Sequence, residues 1–295
     1  MSMAKKKKGK PAKFVRWRWL VQSGFLLAWL DPLALRMHNL CGPVFHCYSC
    51  PLAMFACPIG VIANFSALHV IPFAALGMLL LFGAAFGSFI CGWACPFGFL
   101  QDLIAKVPTP KFTLPLWMGI FRYAVLLAFV LVIPFLWGEG PISFSLPLPS
   151  GPKTVVIPSL FFCSLCPAGA IEGSLTHLIL PSVTKLTILT LIVIAMFFTW
   201  RPWCTLFCPL GAIYSLLNYV SFLFLRFHRD KCIGCADCRS LCVDGGPAER
   251  RIDGLHCLRC AECTNSRAVT VETVLSPPDK TSNVAPPPTN TVEGT

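Results

Sequence analysis

The sequence predicts an α-helical membrane protein with four transmembrane helices in a two-fold internal repeat, followed by a small cysteine-rich α+β domain. Three observations lead there. Of 295 residues, 55% are apolar and 13% charged, about half the charge of an ordinary soluble chain. The 24 Lys and Arg residues, set against 13 Asp and Glu, are unevenly placed. Finally, 17 cysteines fall into strings that recur at fixed spacing. This composition excludes disorder over most of the length and weighs against a water-soluble globule.

Residues 1–19 form a basic cytoplasmic N-terminus. Lys5, Lys6, Lys7, Lys8, Lys10, Lys13, Arg16 and Arg18 run straight into an apolar segment. The run therefore reads as a patch against anionic lipid headgroups that holds this end in the cytoplasm, and nucleic acid is not an expected partner. A cleavable signal peptide is disfavoured, because no A-x-A-like site follows the apolar stretch.

Residues 20–226 read as the membrane domain. Four segments are apolar enough to span about 30 Å of hydrocarbon: Trp17–Leu35, Phe65–Cys91, Pro115–Trp137 and Pro181–Trp200. The outer loops are then 36–64 and 138–180, and the inner loop is 92–114. Thirteen Lys and Arg near the membrane fall inside and two, Arg36 and Lys153, outside, as the positive-inside rule requires. The expected location is a bacterial inner membrane, multi-pass, with both termini cytoplasmic. Arg122, one or two turns inside the third span, is expected to snorkel towards the cytoplasm. The tail, 274–295, is Pro- and Thr-rich with little to bury and reads as disordered.

The cysteines carry the repeat. Cys-Pro-x-Gly occurs four times, beginning at Cys57, Cys95, Cys166 and Cys208. Two occurrences belong to C-x3-C-P pairs, Cys91/Cys95 and Cys204/Cys208, whose members are 113 residues apart. Two further pairs, Cys47/Cys50 and Cys163/Cys166, are 116 residues apart. A metal–sulfur site needs several converging thiolates, and two cysteines within one turn supply half of one. Proline after the last cysteine starts a helix, and glycine lets backbone approach. Two half-sites then close a four-thiolate site at the inner face from Cys91, Cys95, Cys204 and Cys208. A second closes at the outer face from Cys47, Cys50, Cys163 and Cys166, with Cys41 and Cys57 beside it. Other readings stay open at this point. Outer cysteines in an oxidising compartment also form disulfides, and the inner pairs also suit redox thiols or zinc.

Residues 227–273 hold the most specific spacing. Cys232-x2-Cys235-x2-Cys238-x3-Cys242 is the run of bacterial two-cluster ferredoxins, and Cys257-x2-Cys260-x2-Cys263 begins fifteen residues after Cys242. In such proteins the fourth cysteine of each run ligates the other cluster. Cys242 is therefore expected to complete Cys257, Cys260 and Cys263. The fourth position of the second run is Arg267, which leaves Cys232, Cys235 and Cys238 one ligand short: a [3Fe–4S] cluster, a borrowed ligand and no cluster at all stay open, as does zinc for the whole module.

With the strings CGWACPFGFLQD and CTLFCPLGAIYSLLN, four spans and the cytoplasmic C-x2-C-x2-C-x3-C run, the chain resembles the membrane polyferredoxin family. That family is typified by NapH, with the C-terminal half of NosR and the CcoG accessory proteins as relatives. The resemblance implies [4Fe–4S] clusters and an electron relay between the quinone pool or a cytoplasmic donor or acceptor and a periplasmic cytochrome or iron–sulfur partner. It also implies membership of a quinol dehydrogenase or related oxidoreductase complex. The outer cysteines depart from the plain NapH pattern and favour a route across the whole membrane. His46, His177, Glu139 and Glu172 are candidates for an outer quinol site, with His38 and His69 nearby. Two alternatives differ in class: a metallocentre-assembly or metal-reducing factor, and a redox-sensing regulator.

Overall fold

The structure, a computed structural model, describes residues 13–29, 57–112, 114–138, 142–148, 151–157, 162–171, 183–228, 231–232, 238, 242, 252, 254–266 and 268–275. Helices α1 (Lys13–Trp29) and α2 (Pro58–Ala67) are followed by α3 (Phe73–Phe86), α4 (Phe89–Trp93) and α5 (Pro96–Ile104). The long helix α6 (Trp117–Trp137) precedes an antiparallel hairpin, β1 (Ile142–Leu148) and β2 (Gly151–Ile157). Then come α7 (Phe162–Leu165), α8 (Val183–Phe198) and α9 (Pro209–Leu217), and finally strands β3 (Leu223–Phe227) and β4 (Val269–Thr273).

Every Cys-Pro-x-Gly string opens a helical segment. The carbonyl of the cysteine accepts the first intrahelical bond in each: Cys57 from Val61 at 2.9 Å, Cys95 from Phe99 at 3.1 Å, Cys166 from Ala170 at 3.2 Å and Cys208 from Ala212 at 3.1 Å. Proline in the first turn has no N–H to leave unsatisfied, and its fixed φ suits the helix. The cysteines therefore sit at helix starts, with backbone N–H groups at hand.

The stretch expected as one span, Phe65–Cys91, is cut twice. His69 takes a left-handed φ of 58° and Pro72 follows before α3, while Gly87 at φ 56° separates α3 from α4. Hydropathy does not register either break; dihedral sterics and a missing donor make both. Helix α6 stays continuous over 21 residues by widening to a π-helix at Leu126–Val132. The widening precedes Pro134, which cannot join an α ladder. Among the described residues, α6 is the one helix long and apolar enough to cross a membrane. Helices α3 and α8, with 14 and 16 residues, are shorter apolar helices.

The core joins Ile59, Leu79, Phe97, Val130, Trp203, Leu210 and Tyr214 to Cys91, Cys95, Cys166, Cys204 and Cys208. Outside it, α3 exposes Leu76, Leu80 and Leu81, and α8 exposes Leu186, Leu191 and Ile194. A smaller core of Phe89, Leu225, Ala261, Cys263 and Val269 holds the C-terminal module, or head. Strands β3 and β4 pair from Leu223↔Thr273 to Phe227↔Val269, so the boundary expected at residue 227 falls inside β3.

The head is seated by buried polar groups. Arg259, at φ 45°, donates to the carbonyls of Asn218 (2.8 Å), Phe86 (3.3 Å) and Leu223 and to the Ser221 hydroxyl. The Ser88 hydroxyl donates to the Cys257 carbonyl at 2.7 Å. Arg122 does not snorkel to the interface. It is 1% exposed and donates to the Leu255 carbonyl. Gly92 of α4 lies so close to the head that a Cβ there would stand 2.6 Å from the Leu258 carbonyl oxygen.

Helix propensity alone favours Gly92→Ala by about 1 kcal/mol. The close approach reverses the sign. The variant is expected to lose about 1–3 kcal/mol and to expose the head to protease. A neutral or more stable variant in denaturant titration would show that the head does not rest on α4.

Candidate functional site

Cys91, Cys95, Cys204 and Cys208 line one buried cavity, together with Phe97, Trp203, Leu210, Gly211 and Leu258. Cys91 lies on α4 and Cys95 caps α5; Cys204 lies in the π turn Trp203–Phe207 and Cys208 caps α9. The two caps match in geometry, at φ/ψ −73°/113° for Cys95 and −73°/109° for Cys208. In each, the thiol sulfur accepts a backbone N–H three residues on, from Gly98 at 3.4 Å and from Gly211 at 3.2 Å. A further donor, Gln101 Nε2, points at Cys204 Sγ at 3.0 Å.

A network of ion pairs links the two cysteine strings to the head. Asp102 on α5 pairs with both Arg201, after α8, and Arg18 on α1. Arg201 Nε reaches Asp102 Oδ1 at 2.6 Å, and Arg201 Nη1 reaches the Cys91 carbonyl at 3.5 Å. Arg18 continues to Glu262 of the head at 2.7 Å, while its Nε and Gln22 Nε2 both donate to the Gly92 carbonyl. Burial opposes ionisation of Asp102, but the Arg201 guanidinium, helped by Arg18, more than offsets it and holds the carboxyl below its usual value.

The thiols respond chiefly to burial. Cys95 is pushed up, with Gly98 N–H and Arg201 opposing. Cys204 is pushed up to about 12 by burial and by Cys95, against Arg201 and Gln101. Burial and then Cys204 raise Cys208. In the head, burial pushes Cys260 up to about 11, with Arg18 and then Arg201 opposing. Arg201 thus lies within electrostatic reach of both Cys204 and Cys260.

The residues fit an iron–sulfur group. Four thiols and backbone N–H donors surround an apolar cavity, which is the donor set such clusters take. The indole Nε1 of Trp203, buried in a residue of the cavity wall, finds no acceptor among the described residues. An orphaned buried donor costs about 1–3 kcal/mol, and a sulfur-rich group would supply acceptors. Among the described residues, no three His, Cys, Asp or Glu side chains gather as a single metal ion requires.

Of the head cysteines, Cys242, Cys257 and Cys260 all act on Cys263, whose thiol is raised first by burial and then by those neighbours. These four are the residues named by the crossed ferredoxin pattern, and of them Cys263 and Cys257 pack on the same small core. Cys238 packs with Cys257 on the small core, and Cys232 is exposed. Cys235 and Arg267 lie outside the described residues. Of the outer set, Cys163 Sγ rests 3.3 Å from where a Cβ on Gly60 would stand, three residues after Cys57, and Cys166 is buried in the main core. No two cysteines form a disulfide among the described residues. Cys41, Cys47, Cys50, His38, His46, Glu139, Glu172 and His177 lie outside them. The ring of His69 packs on Phe135 at 4.3 Å.

Sequence reasoning passed over Gln101, Asp102, Arg201 and Trp203 as site residues. A signal was present: an adjacent amide and acid six and seven residues after Cys95, in an otherwise apolar run.

The family described as "4Fe-4S binding domain" matches the chain twice, at residues 67–115 and 183–231. Each match contains one C-x3-C-P pair, and neither reaches the head cysteines. Two uncharacterized proteins of Methanocaldococcus jannaschii are similar. One is 29% identical over 204 residues, covering 65% of this chain and 74% of the relative. The other is 28% identical over 188 residues, covering 60% of each. An Escherichia coli protein named "Putative electron transport protein YccM" is 26% identical over 185 residues, covering 60% of this chain and 47% of its own length. No solved structure matches. These matches support [4Fe–4S] binding and an iron–sulfur electron-transfer role.

Asp102→Asn would leave Arg201 buried against a neutral partner. A loss of about 3–5 kcal/mol is expected, the range for breaking one side of a buried pair. Because the folded carboxyl is held below its unfolded value, its contribution is complete above the unfolded value and fades as pH falls through the folded one. The variant should therefore flatten that acid limb in denaturant titrations; an unchanged limb would show that the network contributes nothing.

Proposed function

We propose that this chain is a membrane-bound iron–sulfur electron-transfer protein. In this reading Cys91, Cys95, Cys204 and Cys208 hold one [4Fe–4S] cluster and Cys242, Cys257, Cys260 and Cys263 hold another. The observation that carries it is the shared cavity: cysteines from strings 113 residues apart line one space. Its wall includes Leu258, which stands between Cys257 and Cys260 of the head. Bound clusters supply one-electron carriage. The chain's own residues exclude water with Phe97, Trp203 and Leu210, direct N–H groups at the sulfurs, and hold Arg201 against Asp102 and the Cys91 carbonyl.

Burial argues against bare redox thiols. A thiol raised like Cys204 is protonated near neutral pH and is a poor nucleophile, and thiolate is recovered when a metal centre binds. The membrane setting draws on α6, on helices α3 and α8 that bury narrow stripes and expose Leu and Ile elsewhere, and on the charge bias of the loops. Helices apolar on every side suit lipid. By the same reading, the outer strings around Cys57, Cys163 and Cys166, with Cys41, Cys47 and Cys50, hold further thiolate sites facing a quinone or a periplasmic cytochrome or iron–sulfur protein. Cys232, Cys235 and Cys238 hold an incomplete or [3Fe–4S] cluster. A cytoplasmic donor or acceptor meets the head. The NapH type of quinol-linked relay is the arrangement this proposal favours.

Iron and acid-labile sulfide analysis of protein purified without oxygen checks the reading. Cys204→Ala with Cys208→Ala should remove about four irons per chain while the head signals persist in EPR, since each [4Fe–4S] core needs its thiolates. Iron content equal to the parent would defeat it.

A further inference from the structure

The four inner sulfurs are not treated alike. Cys95 and Cys208 receive matching backbone N–H groups, from Gly98 and Gly211. Cys204 receives an N–H from a side chain of the other string: Gln101 Nε2, at 3.0 Å. Gln101 is fully buried. Its amide has one allowed orientation. Oε1 accepts the backbone N–H of Trp203 at 3.2 Å, and Nε2 also reaches the Phe97 carbonyl at 3.4 Å. Turning the amide over would set donor against donor at Trp203 and acceptor against acceptor at Phe97, so the N–H must face the sulfur. At the 113-residue offset the counterpart of Gln101 is Tyr214 and that of Asp102 is Ser215. The string that supplies this donor has no like residue in its partner, and the asymmetry lies within a site whose cysteine spacing is symmetric.

We propose that Gln101 sets the reduction potential of the centre held by Cys91, Cys95, Cys204 and Cys208, through its N–H to the Cys204 sulfur. This rests on the reading that these thiolates hold a cluster. One-electron reduction adds one negative charge to such a centre, with no bond made or broken and no proton moved. An N–H dipole aimed at a ligating sulfur favours the more negative state, and more so where water is excluded. Gln101 therefore raises the potential. It acts through Cys204 and is a positioning residue.

The test is a potentiometric titration with dithionite and mediators, following the EPR signal that Cys204→Ala abolishes. Gln101→Met keeps length and burial but removes the donor. Its midpoint should move to lower potential at unchanged iron content; an unmoved midpoint overturns the proposal and leaves the cluster reading standing. If no Cys204-dependent iron exists in the parent, the cluster reading fails and this proposal with it. If Gln101→Met loses iron, the unaltered protein decides. The chain holds two glutamines, Gln22 and Gln101, and Gln22 Nε2 is turned to the Gly92 carbonyl at 2.9 Å. With side-chain ¹⁵N-glutamine, pulsed EPR should show nitrogen coupling to the reduced centre that survives Gln22→Met. Absence of that coupling overturns the proposal.

Discussion

A carboxylate buried in an apolar core has to be matched by cations, and Asp102 is matched by two. Arg18 comes from the N-terminal helix and Arg201 from the turn before the second cysteine pair. Asp102 itself lies two turns beyond the cap made by Cys95, so three distant stretches of chain meet at one charge. Such networks add little net stability over apolar packing, but a missing partner is costly, and that makes the arrangement specific. Arg18 extends it to Glu262. The alignment of the two cysteine pairs with each other and with the head follows from this group of four charges.

Around the sulfurs the same economy of polar groups holds. The cavity wall is Phe, Trp and Leu, and the donors are backbone N–H groups placed by proline-started helices, with one buried amide. In a region without water each such bond carries more electrostatic weight. Arg259 at positive φ, the Arg18–Glu262 pair and the close approach at Gly92 hold the head against this wall. The segment between Cys257 and Cys260 thereby becomes part of the cavity lining rather than a separate appendage.

Much of this was legible beforehand because it is local. Cys-Pro-x-Gly dictates a helix start with a sulfur at the cap, and all four strings obey it. The equal offset of the C-x3-C-P pairs announces that their members meet, and they line one cavity. The breaks at His69 and Gly87 were not legible, since an apolar run looks the same whether its dihedrals stay helical or not. Arg122 was misread for a related reason: snorkelling assumes solvent at the helix end, whereas the Leu255 carbonyl stands there.

Residue spacing alone determined which cysteines form pairs, that a helix begins at each Cys-Pro and how charge divides along the chain, because those depend on neighbours within one turn or on totals. Gln101, Asp102 and Arg201 acquire their roles from partners about a hundred residues away. No periodicity encodes such a meeting. Only packing, which makes each buried donor, acceptor and charge find its counterpart, decided which sulfur receives the amide and which acid joins the two arginines.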